Sequence, residues 1–87
     1  DAMVNVYMKS FSLGSGSYVK LADESVCMNA TIIASVKNTN PVNVRFRGGT
    51  PASWPPGAAA LLEGVDLTEF EVQGASGHLL LVVGYTR

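Results

Sequence analysis

Apolar and polar residues alternate along most of this chain with the period of an extended strand. Val4, Val6 and Met8 share one side of a run from Met3 to Lys9, with Asn5, Tyr7 and Lys9 on the other, and Ser10 to Leu13 extends it. A second short run, Tyr18 to Leu21, places Val19 and Leu21 together. Val26 to Lys37, rich in Val, Ile and Thr, is the longest strand candidate, with a bend expected near Asn29 or Ala30. The clearest amphipathic strand has Val42, Val44 and Phe46 against Asn43, Arg45 and Arg47, which predicts Phe46 as core. Ala58 to Glu63 reads as another strand. From Leu67 to Gln73, Leu67, Glu69 and Glu71 oppose Thr68, Phe70 and Val72.

The separators are turn chemistry. They are Gly14-Ser15-Gly16-Ser17, Asp23-Glu24, Asn38-Thr39-Asn40-Pro41 and Gly74-Ala75-Ser76-Gly77. Gly48 to Gly57 carries three prolines and three glycines and predicts a loop without helix or ladder. Six or seven short strands with no useful helix predict a single all-β domain over residues 1–87, an antiparallel sandwich or small barrel.

The final stretch, His78 to Arg87, breaks the alternation. Leu79, Leu80, Leu81, Val82 and Val83 run without a polar residue, too few to cross a bilayer as a helix. A strand apolar on both faces must be covered on both faces. In a chain of 87 residues one cover has to come from another subunit. Composition agrees: 47% of residues are hydrophobic and 15% charged, against roughly 25% charged in soluble domains. A domain this small buries only roughly 60–65% of its unfolded surface. The usual supports are disulfides, metals or oligomerisation. Cys27 is the lone cysteine and His78 the lone histidine, so an internal disulfide is impossible and a four-ligand structural zinc site is not expected. Oligomerisation or docking on a larger body remains. Cys27, between Val26 and Met28, reads as a buried apolar thiol.

The chemistry-bearing residues point away from catalysis. The net charge is −1 and no basic patch is present, which argues against a nucleic-acid partner. No transmembrane segment or signal peptide is expected, nor any cofactor. Asn29-Ala30-Thr31 matches a glycosylation sequon within a strand and reads as a chance match. His78 reads as a strand-edge residue, hydrogen-bonded or solvated, and no catalytic residue is assigned. Glu69 and Glu71 share a strand face, and the expected use is water contact or cross-strand pairing with Arg45 and Arg47. Trp54, between Ser53 and Pro55-Pro56, has three open uses: a lid folded back over one end of the sandwich, an interface anchor, or a stacking surface for a sugar with Tyr7, Tyr18 or Tyr85.

The second half of the chain carries a layout that resembles small structural proteins of tailed bacteriophages. The residues are Val42 to Pro51, then Pro-Pro-Gly and Leu61-Leu62, then Gly64 to Val72, then Gly74 to Gly77 before a strand ending Val83-Gly84-Tyr85-Thr86-Arg87. The resemblance covers about residues 30–87. It implies a β-sandwich or jelly-roll-like subunit, made in the host cytoplasm and carried on the virion as a capsid decoration (cement) protein or head or tail accessory. Its partners would be the major capsid protein or other virion proteins, and it would form a homo-oligomer, by resemblance a trimer. Carried onto this chain, residues 1–9 become an arm or edge strand, with Val4, Val6 and Met8 at an interface, and Pro51, Trp54, Pro55 and Pro56 an interfacial loop.

Overall fold

The computed structural model describes residues 5–14 and 16–86. Val4 therefore lies outside the described residues. The elements are β1 (Asn5–Ser12), β2 (Val19–Lys20), β3 (Cys27–Ala34), β4 (Val42–Phe46), β5 (Ala52–Trp54), β6 (Ala59–Asp66), a 3-10 turn (Leu67–Glu69), β7 (Phe70–Gln73) and β8 (Leu79–Thr86). They form two four-stranded sheets, β1-β8-β3-β6 and β2-β7-β4-β5, and every pair is antiparallel. The pairing is nested: β1 with β8, β2 with β7, β3 with β6, β4 with β5. The chain is thus one long antiparallel hairpin wrapped on itself, and the β8–β3 and β7–β4 ladders seal the wrap. This is the eight-stranded jelly-roll form of the β-sandwich.

The period-two pattern builds the core. Met28, Ala30, Ile32 and Ala34 from β3 and Leu80 and Val82 from β8 point inward from the first sheet. Val42, Val44 and Val72 meet them from the second. Each large aliphatic buried this way contributes about 1.5–3 kcal/mol. The bend expected near Asn29 falls at a register shift in the β3–β6 ladder, between Met28 and Ala30. The extra residue belongs to β6, where Gly64 takes φ +63 and gives its N–H to Asn29 Oδ1 at 2.8 Å. Gly84 has a different reason: a Cβ there would come within 2.9 Å of Met28 Sδ and 3.0 Å of the Asn29 carbonyl.

Several expectations are corrected. The Gly48–Gly57 segment contains β5, which pairs Ala52 with Val44 and Trp54 with Val42. Being an edge strand bounded by Pro51 and Pro55, it loses no inner donors to proline. Leu67 to Glu69 coils into a 3-10 turn, which sends Leu67 into the core. Cys27 is exposed, because it starts β3 on the outward side of the alternation. Phe46 is 46% exposed: it lies at the rim where the sheets part, leaning on Phe70 with ring centroids 5.0 Å apart. The second run holds a strand of only two residues, and Val19 stays exposed.

Two polar devices fix the connections. Asn38 is buried, donates Nδ2–H to the Leu79 carbonyl at 3.0 Å and accepts the Leu79 N–H at 2.8 Å, so it holds the start of β8 as a strand neighbour would. Asp66 caps the 3-10 turn, accepting from Thr68 N and Thr68 Oγ1 and from Ser25.

Asn38→Ala should cost about 1–3 kcal/mol in a urea titration, since it leaves both backbone groups of Leu79 without that partner. Phe46→Ala should cost clearly less than the roughly 3–5 kcal/mol of a buried Phe; a loss in that range would mean the ring is buried in solution. Hydrogen bonds from Ser25 and then Thr68 hold the Asp66 carboxyl below its ordinary value of 3.8. A carboxylate lowered by folding stabilises above its unfolded pKa, and that contribution fades as pH falls through the folded value. The thermal midpoint of Asp66→Asn should therefore lie below wild type at neutral pH, and the gap should narrow as pH drops below about 4.

Candidate functional site: the uncovered face of the first sheet

The outer faces of the two sheets differ sharply in chemistry. On the second sheet, strand register places Asn43 opposite Gln73 and Arg45 opposite Glu71. Asn43 Nδ2 donates to Gln73 Oε1 at 3.0 Å, Arg45 Nε to Glu71 Oε1 at 2.7 Å and Arg47 Nε to Glu69 Oε2 at 2.7 Å. The Arg45 guanidinium also lies 3.8 Å from the centre of the Tyr18 ring. This is the cross-strand pairing that the spacing of Arg45, Arg47, Glu69 and Glu71 suggests, and each pair contributes roughly 0.2–1 kcal/mol. The face is closed on itself by its own charges.

The first sheet presents the opposite. Inward residues of β1, β8, β3 and β6 alternate with an outward set, and the ladders align that set in rows. One row is Ser10, Leu81, Ile33 and Ala59; the next is Met8, Val83, Thr31 and Leu61; a third begins Val6, Tyr85 and Asn29. Met8 is 70% exposed, Leu61 61% and Leu81 40%. The two middle rows carry no charge, and Glu63 stands at the β6 corner. Soluble monomers rarely leave a contiguous apolar surface of this extent bare. The Val6 and Met8 side of β1, an apolar stripe in the sequence, thus points away from the sandwich, while Tyr7 and Phe11 turn inward.

The remaining singled-out residues lie elsewhere. Trp54 is half-buried and packs against the core from β5, and Pro51, Pro55 and Pro56 are exposed around it on the other sheet, apart from Val6 and Met8. The aromatic residues do not form one platform: Tyr85 is on the outer face of the first sheet, Tyr18 lies under Arg45, and Tyr7 gives its hydroxyl proton to the Leu21 carbonyl. Burial, and secondarily the Asp23 charge, raise the Tyr7 phenol above its ordinary value of 10.0. Tyr7 helps line a cleft of about 460 Å³ with residues of both signs, Lys9, Asp23 and Glu24. A second cleft of about 210 Å³ opens between the sheets beside Trp54, Phe46 and Leu62 and is apolar.

His78 is buried, and its ring meets Thr39: Nε2 accepts the Thr39 N–H at 3.3 Å and lies 3.0 Å from Thr39 Oγ1. An accepting Nε2 puts the neutral ring's proton on Nδ1, which is buried with no partner. A hydroxyl within reach of imidazole is one part of a nucleophilic pair, but the orienting carboxylate is missing, and neither residue lines the clefts above. The pair locks the Asn38–Pro41 turn onto the start of β8. Among the described residues no three His, Cys, Asp or Glu side chains gather where a metal ion would sit. No helix among them is long and apolar enough to cross a membrane.

Neither a protein-family model nor a curated protein sequence matches the chain. Solved structures do match its fold. An RmlC-like cupin protein from Desulfovibrio desulfuricans superposes with a TM-score of 0.66 at 15% identity, over 92% of this chain and 71% of that one. A chain from the Bacillus endospore appendages, described as disulfide-linked pili, superposes with a TM-score of 0.54 at 14% identity, over 95% of this chain and 82% of that one. At such identities the likeness is one of architecture, a cupin-like β-sandwich.

Proposed function

We propose that this chain is a structural, non-enzymatic subunit of a protein assembly, which holds neighbouring subunits together through the outer face of the β1-β8-β3-β6 sheet. The observation that carries the reading is the bare apolar grid around Leu81, Val83 and Met8, set against a second sheet whose outer face is closed by ion pairs. Within that reading, the resemblance over about residues 30–87 favours a virion component, a capsid decoration or head or tail accessory protein that contacts the major capsid protein or its neighbours. The Bacillus appendage chain supports the assembly part of the reading, since it is another polypeptide of this fold and belongs to disulfide-linked pili. Many identical sites on a shell turn a modest contact per copy into firm attachment.

Electron microscopy with a labelled antibody on particles purified from the source should find the chain at regularly spaced shell positions. Wild-type chain added to particles lacking it should decorate them, and Leu81→Glu should bind at least about tenfold more weakly, because the subunit contact made through this face would bury an unpaired carboxylate. Particles free of the chain, or a Leu81→Glu variant that decorates as well as wild type, would overturn the proposal.

A further inference from the structure

We infer that the occupant of this face is a second copy of the same chain, docked face to face about a two-fold axis that passes near β8 and β3; this rests on reading the face as a docking surface. Three features of the face select that partner. The first is charge. Ser10, Leu81, Ile33 and Ala59, then Met8, Val83, Thr31 and Leu61, form two rows with no charged side chain. A partner bearing a charged surface would bury unpaired charge there, whereas the same rows of another copy bring none, and Glu63 stands outside them at the β6 corner. The second is shape. A sheet face meets another sheet face about 10 Å away with strands roughly aligned, and a surface that packs on its own copy does so isologously, residue i against j and j against i. The third is size. Four strands about 4.8 Å apart and up to eight residues long span on the order of 500 Å², so two copies bury about 1,000 Å², at the threshold of a specific interface. A sheet face covers one other sheet face, which makes a two-fold pair, where a trimer would have to be built from sheet edges.

The test uses charge complementation at Leu81, which is 40% exposed and points outward from the middle of the sheet. Wild type, Leu81→Glu and Leu81→Lys are compared by sedimentation velocity, with circular dichroism to check that each variant is folded; Thr31→Glu and Thr31→Lys replace them if either is not. Wild type should sediment as a dimer. Each charged variant alone should be monomeric, its self-affinity down on the order of 100-fold from like charges facing across the axis. An equimolar mixture of Glu and Lys variants should regain the dimer. A monomeric or trimeric wild type, a dimer indifferent to charge at Leu81, or variants that stay monomeric when mixed would each overturn the inference. Shell decoration then separates the two readings. If wild type is monomeric yet decorates particles through Leu81, the second copy is excluded and the structural reading stands; if decoration is absent as well, both fall.

Discussion

The structure depends on one strand having two jobs. β8 is apolar on both sides, and the nested hairpin pairing places it between β1 and β3 rather than at an edge. Its inward side, Leu80 and Val82, is fully buried and joins the two sheets. Its outward side, Leu79, Leu81, Val83 and Tyr85, has no layer above it among the described residues, because a two-layer sandwich covers each sheet once. The chain is not short of charge to place there. Of its 13 charged residues (6 basic and 7 acidic), Arg45, Arg47, Glu69 and Glu71 are spent as two ion pairs on the outer face of the other sheet. The two outer faces thus differ in chemistry, one ion-paired and the other largely apolar.

Period and punctuation made most of this legible. The β6 strand and the Arg–Glu partnership between β4 and β7 both follow from which residues lie two apart and which lie near a break. What the period does not carry is direction: it says that Val6 and Met8 share a face, and not whether that face looks into the sandwich or out of it. The same blindness hid Cys27, whose place on the outward side follows from a register set by strands far away in sequence. Phe46 obeys the alternation and still escapes burial, because it sits where the strand leaves the shelter of the opposite sheet. β5 was hidden for another reason. Proline and glycine mark the ends of its three residues so densely that the strand between them disappears, although an edge strand tolerates that company.

The fold alone leaves function open, since cupin-like and pilus chains share it. Leu21, Ile32, Leu67 and Val72 with their neighbours pack the middle of the sandwich, and the cleft that opens between the sheets beside Trp54 and Phe46 is lined mostly by apolar side chains. Of the polar groups found inside, Asn38 bonds both backbone groups of Leu79 and His78 Nε2 meets Thr39, while His78 Nδ1 has no partner among the described residues. Both side chains anchor the entry of β8, the strand that carries the outer face.

Association through a sheet face has to compete with association through sheet edges, which leads to open-ended ribbons. Three of the four edges are blunted. β2 is two residues long, β5 is three and bounded by prolines, and β6 is bulged at Gly64, where its backbone N–H is already taken by Asn29. Only β1 presents a full eight-residue edge, and it carries Lys9 near its middle. A contact between two flat faces is satisfied once made, while a strand added at β1 would offer a fresh edge to the next. With most edges blunted, the proposed contact rests on the apolar face rather than on an open ladder.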